Sequence, residues 1–303
     1  MPRKDRPDGV MDIDRGSSSN PGTKVPAWMK PEVSWDREEQ RFSHREMDSM
    51  IENTPGYSRA AKDRDRATPR ETNAPLGHPK KARSLPGAGD VRVPLSSRQR
   101  KDRSKAKFRA QDRMSGTEHA SVKTLVKDDP AGWVRLNDAL SDAAGDMQDD
   151  RISAKDRLLG QRVDRAIQRY ERENDRGHVI YSAALMPDYI NAGNIEGYAR
   201  NNFEEGQVLT FDRYTTGAHS MHELDRVVPE QDQKRVVVFE IATRRGLYLG
   251  RSDSLDDTRH LLPRGMDLEV LGSHTATYSR PDGTQGTHTV VQLGDVTNTR
   301  RTP

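Results

Sequence analysis

Apolar residues are distributed unevenly along this chain, and their distribution limits how much of it can form a folded core. The β-branched and leucine-rich runs lie almost entirely after Val122, whereas the sequence before it is rich in Pro, Arg, Asp and Ser. Only 32% of the 303 residues are hydrophobic and 5% are aromatic, against 32% that are charged. A chain this polar cannot build one core from its whole length. The sequence therefore predicts a disordered leader over residues 1–117 and one folded domain over residues 118–303.

The predicted leader contains many prolines and a basic segment. Its prolines prevent long helices and include Pro26, Pro31, Pro55, Pro69, Pro75, Pro79 and Pro86. The segment Arg98–Arg113 reads RQRKDRSKAKFRAQDR, and basic runs with an interleaved aromatic residue such as Phe108 can bind phosphates. The net charge of the chain is only +3, from 50 basic and 47 acidic side chains. We therefore interpret residues 98–113 as a solvated linker that binds no nucleic acid, with a nucleic-acid-binding tail as the alternative.

Several classes of site are excluded or weakly indicated. The chain has no cysteine, which excludes disulfides and thiolate metal sites, and no apolar run approaches the ~20 residues of a membrane span. His219 and His222 lie three residues apart beside Glu223, but no third metal ligand is near them in sequence. We expect exposed histidines, no metal site, no membrane contact and a monomeric chain. Ser220, His222 and Asp225 are too close in sequence to form a catalytic trio.

The folded part begins with helices. Asp129 followed by Pro130 is a helix N-terminus signal, and apolar residues then recur at helical spacing, at Trp133, Leu136, Leu140, Ala143 and Met147. A second helix is predicted over residues 155–170, with one apolar face formed by Leu159, Val163, Ile167 and Tyr170.

From His178 onward the pattern changes to short β-rich segments. The predicted strands cover residues 179–185, 207–215, 235–242, 246–250, 266–272 and 287–296. Pro281-Asp282-Gly283 indicates a hairpin turn before the last of them. Helices followed by a mostly antiparallel meander predict an α+β domain.

Five segments of this domain carry a family resemblance when they are taken in order. They are the helix that ends in DRAIQRY, EGQVLTF at 205–211 with Tyr214-Thr215-Thr216 after it, VVFEI at 237–241 before Gly246, LLPRG at 261–265, and VVQL at 290–293. Over residues 130–298 they resemble the arginine-specific mono-ADP-ribosyltransferases, including type III effectors of plant-pathogenic bacteria of the XopAI-like group. The resemblance implies N-terminal helices on a mostly antiparallel core of two small sheets around an NAD cleft.

The resemblance also implies where the chemistry would lie. In that family an arginine on the first core strand binds the anionic part of NAD, and a Ser-Thr-Ser motif orders the pocket. A Glu-x-Glu motif supplies the carboxylate that stabilises the positive charge as nicotinamide leaves. These positions fall on Ser182, Thr216-Gly217-Ala218 and Asp257-Thr258-Arg259. Tyr214, Thr215 and Thr216 are the expected cofactor contacts, with NAD as the cofactor if the site is active and none otherwise.

The replacement of the catalytic carboxylate by Arg259 has a predictable sign. A guanidinium about 4 Å from a developing oxocarbenium costs roughly 1 to 4 kcal/mol at effective dielectrics of about 80 to 20. Each ~1.36 kcal/mol is tenfold in rate, and arginine cannot deprotonate. The sequence therefore indicates a domain that has lost most of its catalysis, unless Asp256 or Asp257 enters the pocket instead.

The resemblance implies a secreted bacterial effector that enters the host cytoplasm or nucleus through a type III system, with the leader as secretion and translocation region. With its NAD site altered, we expect the domain to bind a host protein or peptide. An acidic segment would suit the cations Arg259 and Arg264 beside Tyr214 and Thr216. Two alternatives stay open: an active NAD-dependent protein-arginine mono-ADP-ribosyltransferase toxin, and a basic tail that binds nucleic acid.

Overall fold

The computed structural model of the protein describes residues 85–125, 130–174, 176–186, 192–228, 232 and 235–297. The rest of the predicted leader, residues 1–84, lies outside the described residues. The helices are α1 (Ser97–Asp112), α2 (Gly116–Leu125), α3 (Pro130–Asp142), α4 (Ala154–Glu173), α5 (Ile195–Asn202) and α6 (Leu224–Val227). The strands are β1 (His178–Leu185), β2 (Val208–Phe211), β3 (Thr215–Ala218), β4 (Val236–Thr243), β5 (Leu247–Tyr248), β6 (Arg259–Leu262), β7 (Met266–Ser279) and β8 (Gln285–Asp295).

The basic segment 98–113 is helical, so its interpretation as a solvated linker is wrong. Ser96 begins α1 with a capping box, in which its hydroxyl accepts from the Gln99 N–H and the Gln99 side chain accepts from the Ser96 N–H. Ala106 and Ala110 are buried in the core that α1 shares with the other N-terminal helices. The ordered part of the chain therefore begins well before residue 118, because Ala106 and Ala110 attach to the core a helix whose other positions are polar except for the exposed Phe108.

The two helices predicted from apolar spacing are confirmed. Helix α3 begins at Pro130 and buries Leu136 and Leu140, and Asp129 itself lies outside the described residues. Helix α4 begins after Ser153, whose hydroxyl accepts from the Asp156 N–H. Its apolar face packs against α1, α2 and β5. These four helices form one layer over one end of the sheet.

Within the described part of the chain, the strands form one eight-stranded sheet in the order β2-β7-β8-β4-β1-β3-β6-β5, in which only the β4–β8 pair is parallel. The expectation of a mostly antiparallel α+β fold is confirmed, and the expectation of two separate sheets is wrong. Strand β1 pairs with β4 along its whole length and with β3 through Tyr181 and Ala218. The two halves of the sheet are therefore joined edge to edge through β1 instead of being separate.

The strand predictions differ from the structure mainly at turns. The segment 207–215 is divided between β2 and β3, and β7 is longer than the predicted strand. The predicted hairpin at 281–283 joins β7 to β8, and Gly283 adopts a φ of 85° there. Strand β6 was not expected. Among the described residues, no helix has the length and apolar character needed to cross a membrane.

Candidate functional site

Ser182, the position of the expected first-strand arginine, lies on β1 where this strand meets β3. Its side chain is nearly buried, and its hydroxyl donates to the Thr216 carbonyl oxygen at 2.8 Å. This contact brings two of the predicted positions together. A serine tied to a neighbouring strand in this way supplies no charge for a pyrophosphate.

The third predicted position lies on the strand beyond Thr216. Strands β3 and β6 pair with Thr216 opposite Leu261 and Ala218 opposite Arg259. Residues directly opposite each other share a face of a sheet, so Thr216 and Arg259 lie on one face as diagonal neighbours, about 7 to 8 Å apart. Ser182, Thr216 and Arg259 therefore lie close together on three adjacent strands and are called the cluster here, but Ser182 points to the opposite face of the sheet, because its neighbour Tyr181 pairs with Ala218.

The side chain of Arg259 is engaged by its neighbour in sequence. Its Nε lies 2.5 Å from Asp257 Oδ1, and its Nη2 lies 3.1 Å from Asp257 Oδ2. Both side chains are largely buried, with 26% of Arg259 and 15% of Asp257 exposed. This two-point pair joins the first and last residues of the predicted motif at 257–259, in the geometry preferred by arginine and a carboxylate.

Asp256, the other acidic side chain of this segment, is also paired. Its Oδ1 lies 3.1 Å from His222 Nε2, and its Oδ2 lies 2.8 Å from Arg226 Nη2. Hydrogen bonds from Arg226 and His222 outweigh the opposing effect of burial and lower the pKa of Asp256. Asp256 is therefore ionised at neutral pH and bound to α6 and the turn before it.

The middle residue of the predicted motif, Thr258, is bound by a buried carboxylate that the sequence reasoning missed. The Thr258 N–H donates to Glu223 at 2.9 Å, and the Thr258 hydroxyl donates to the same carboxylate. Burial raises the pKa of Glu223 to about 7, although the hydrogen bonds from Thr258 oppose the increase. With only 1% of its surface exposed, Glu223 fastens the segment before β6 and is not open to a ligand.

The predicted cofactor contacts occupy different surroundings. Tyr214 is fully buried, and its hydroxyl donates to Asp164 at 2.5 Å and lies 2.9 Å from the Gly160 carbonyl oxygen. Thr215 is buried and Thr216 is partly exposed. Arg264 forms an ion pair with the same Asp164 at 2.8 Å. Tyr214 and Arg264 therefore belong to a polar network that connects the sheet to α4, and their contact with a ligand stays a prediction.

The expectation that His219 and His222 are exposed is wrong, because both are 4% exposed. His219 Nε2 lies 3.2 Å from His260 Nδ1, and the His178 ring lies within 5.4 Å of both rings, measured between centroids. Burial lowers the pKa of all three rings, that of His260 to about 3, so they are neutral at neutral pH. Within the described ranges, no group of three or more His, Asp or Glu side chains could bind a metal ion.

Ser220, His222 and Asp225 each bind other partners. Asp225 accepts from the Tyr278 hydroxyl at 2.6 Å and from Arg280 Nε at 2.8 Å, and it lies 3.2 Å from His288 Nε2. His222 pairs with Asp256, as described above.

A segment of the predicted leader, residues 86–95 and here called the strap, lies across the sheet next to the cluster of Ser182, Thr216 and Arg259. Its residue Arg92 forms a two-point ion pair with Glu240 of β4, with both N···O distances at 3.0 Å. Three backbone carbonyls of the strap also accept from Arg92, those of Pro86, Gly87 and Asp90. Both partners are almost completely buried, with side-chain exposures of 1% and 0%.

The strap continues from Glu240 towards residues 257–259. Gln292 Nε2 donates to Glu240 at 2.8 Å and to the Pro86 carbonyl at 2.7 Å. At the other end of the strap, the Leu95 N–H donates to the Ser220 hydroxyl at 3.2 Å, and Ser220 adjoins Thr258. A single acid inside the apolar strand VVVFEIAT was the one sequence signal for this site, because a buried carboxylate requires a partner.

No family model and no curated protein sequence matches the chain. Among solved structures, the chain is similar to the Vis toxin, an ADP-ribosyltransferase from Vibrio splendidus, with 16% identity and a TM-score of 0.44 over 67% of this chain and 84% of that chain. It is similar to the C3 exoenzyme of Clostridium limosum, with 10% identity and a TM-score of 0.46 over 69% of this chain and 98% of that chain. It is also similar to Plx2a, an ADP-ribosyltransferase toxin from Paenibacillus larvae, with 12% identity and a TM-score of 0.44 over 68% and 100% of the two chains. Similarity at this level says nothing about the chemistry of this chain.

Proposed function

We propose that this chain is a secreted bacterial effector whose ADP-ribosyltransferase-like domain has an altered NAD site and acts by binding a host protein or peptide. The proposal starts from the ordered resemblance of five segments to the arginine-specific mono-ADP-ribosyltransferases and their type III effectors of the XopAI-like group. It is supported by the proximity of Ser182, Thr216 and Arg259 on three adjacent strands, where that resemblance expects the chemistry, with Thr216 and Arg259 on one face and Ser182 bound to the Thr216 carbonyl from the other. Delivery through a type III system into the host cytoplasm or nucleus is part of the same proposal.

The observation that carries the proposal is the ion pair between Asp257 and Arg259. A transferase needs an open carboxylate beside the sugar from which nicotinamide departs. Here Arg259 stands at the last motif position, and its guanidinium neutralises the Asp257 carboxylate through two contacts. Exposing Asp257 to a substrate would require breaking a largely buried pair, which leaves a charge without its partner.

The cofactor end of the site supports the same conclusion. NAD carries two phosphate charges, which proteins bind with guanidinium groups or backbone N–H groups. At the expected arginine position stands Ser182, whose hydroxyl is already bound to Thr216. A cation at Arg259 would face the nicotinamide ribose instead of the phosphates, which is the wrong place for it.

A binding role needs an accessible surface near the cluster. Arg264 and Tyr214 are bound to Asp164 in the interior. Of the four expected contact residues, Thr216 and Arg259 are therefore the two that would bind a partner. The segment before β6 extends this surface, because Leu255 is 41% exposed there. An acidic peptide would compete with Asp257 for the Arg259 guanidinium and would therefore bind weakly.

The binding proposal is tested with fluorescent acidic peptides of mixed Asp and Glu sequence, measured by anisotropy against the full chain. Arg259→Gln is expected to weaken binding, whereas Arg251→Gln is not, because Arg251 lies in the same segment but is exposed and paired with Asp253. Equal affinities of the two variants would remove Arg259 from the binding surface.

The second candidate is an active transferase that uses Asp257 or Asp256. It is favoured by the location of both side chains beside Arg259 and disfavoured by their ion pairs. Incubation with labelled NAD, followed by detection of label on the chain or on host proteins, separates the two candidates. We expect no label. Label that disappears in Asp257→Ala and persists in Asp253→Ala, an exposed acid of the same segment, would assign the activity to Asp257 and overturn the proposal.

A further inference from the structure

Helix α1 presents a row of cations to solvent on the side away from the core. Arg98, Lys101 and Lys105 are exposed, and Phe108 extends the row with 58% of its surface exposed. At 3.6 residues per turn, these four positions fall within about 80° of the helix circumference. They form a narrow line, here called the cationic stripe, while Ala106 and Ala110 on the opposite side pack into the core.

The cations of the stripe have no acidic partner. Among the described residues, no carboxylate lies within ion-pair distance of Arg98, Lys101 or Lys105. The carboxylates of Glu173 and Asp102 are paired with other arginines, Glu173 with Arg109 at 3.0 Å and Asp102 with Arg176 at 3.0 Å. The charge of the stripe is therefore uncompensated.

We propose that the cationic stripe of α1 binds single-stranded nucleic acid. The three cations follow one another along about 10 Å of helix, an arrangement that suits consecutive phosphates of one strand. Phe108 stands at the end of the same line, and an exposed aromatic ring beside a phosphate-binding row provides a surface on which a base stacks. A solvent-facing phenylalanine has no role in the core, and this function accounts for it.

The shape of the stripe favours a strand over other polyanions. Binding to an anionic membrane takes clusters of about four to eight cations, and the stripe has three. An acidic peptide could pair with the cations, but it would not require an aromatic ring. The site does not include the Ser182, Thr216 and Arg259 cluster, so it stands or fails independently of the altered NAD site.

The site cannot be tested by deleting residues 98–113, because Ala106 and Ala110 belong to the core and the chain would not fold. Substitutions confined to exposed positions avoid this problem. The probe is a fluorescein-labelled oligouridine, measured by anisotropy with the full chain at two salt concentrations. Three contacts with a single strand predict a slope of about −2 for log affinity against log salt, or about a 20-fold loss of affinity for a fourfold increase in salt.

Two variants test the two parts of the stripe. Lys101→Glu combined with Lys105→Glu is expected to weaken binding about tenfold or more and to reduce the salt slope to about −0.7. Phe108→Ala is expected to weaken binding about fivefold or more with little change in the salt slope, because a stacked base and not a phosphate contact is lost. The matched control is Lys123→Glu combined with Lys155→Glu, which makes the same change in net charge at exposed positions off the stripe.

Two results would overturn the proposal. The wild-type chain could fail to bind oligouridine at low salt, or the stripe variant and the control could lose affinity equally. Full competition by polyglutamate at matched charge would assign the stripe to acidic peptides. Binding to phosphatidylserine vesicles without binding to oligouridine would assign it to membranes. Circular dichroism of each variant verifies that the fold is unchanged.

Discussion

Replacing Arg92 by methionine should destabilise the protein more than any other single change in the strap. Arg92 and Glu240 are 1% and 0% exposed, and the pair is made through two contacts of 3.0 Å. Removing one partner of a buried pair leaves a buried charge uncompensated, which costs about 3 to 5 kcal/mol. Gln292 keeps its hydrogen bond to Glu240, so we expect the loss to lie near the lower end of that range.

The double variant separates the charge from the packing. Arg92→Met combined with Glu240→Met removes both charges and replaces them with apolar side chains of similar volume. Such replacements are often neutral or better. The carbonyls of Gly87 and Asp90 still lose their donor, at a cost of about 1 kcal/mol each. We therefore expect the double variant to be more stable than Arg92→Met alone, with a coupling energy of at least about 1 kcal/mol.

Urea denaturation followed by circular dichroism gives the free energies of unfolding. Hydrogen exchange at the Ser279 amide, which donates to the Arg92 carbonyl at 3.0 Å, reports whether the strap detaches before the sheet unfolds. Arg98→Met serves as the control for loss of an arginine at an exposed position. If Arg92→Met changed the free energy of unfolding by less than about 1 kcal/mol and left the Ser279 exchange unchanged, the reasoning about a buried pair would be refuted.

Two further predictions concern Glu223, which binds the segment before β6, and Gly217 of β3. The pKa of Glu223 is raised by burial to about 7, so the folded state retains a proton that the unfolded state releases, and stability falls as pH rises from about 4.5 to 7. Between about pH 5 and pH 8 the wild type should lose about 2 to 3 kcal/mol more than Glu223→Gln, as measured by urea denaturation, and equal losses would contradict this origin of the shift. A Cβ at Gly217 would lie 2.6 Å from the Tyr181 carbonyl oxygen, so Gly217→Ala should lower the free energy of unfolding by about 1 to 3 kcal/mol. Gly89→Ala, with no atom within 4 Å of the added Cβ, should have no such effect, and similar melting temperatures for the two variants would dismiss the clash.

Periodicity in the sequence was enough to predict the main helices and the strand-rich half. Helices α3 and α4 have apolar residues at strict helical spacing, and β1 and β4 are long β-branched runs that match the predicted boundaries within a residue or two. Helix α1 could not be found in this way, because it attaches through Ala106 and Ala110 and through polar contacts such as Lys107 Nζ to the Gly250 carbonyl. Those contacts depend on residues more than a hundred positions away.

The candidate site was predictable only as a set of positions. Family resemblance gave Ser182, Thr216 and the motif at 257–259, and their clustering follows from pairing that no local pattern reveals. The partners of these residues were not predictable. Nothing in the sequence around Glu223 distinguishes it from a solvated helix residue, yet it is buried against Thr258. Arg92 was missed because it lies in a proline-rich stretch that otherwise indicates disorder.

Isothermal titration of the full chain with NAD, combined with chromatographic detection of free nicotinamide, tests the altered site most directly. With Arg259 bound to Asp257, and with Ser182 at the position where the resemblance expects a phosphate-binding arginine, we expect no measurable heat of binding and no release of nicotinamide. Micromolar binding accompanied by stoichiometric nicotinamide would show that a working carboxylate faces the ribose, and the account of an altered NAD site would then be wrong.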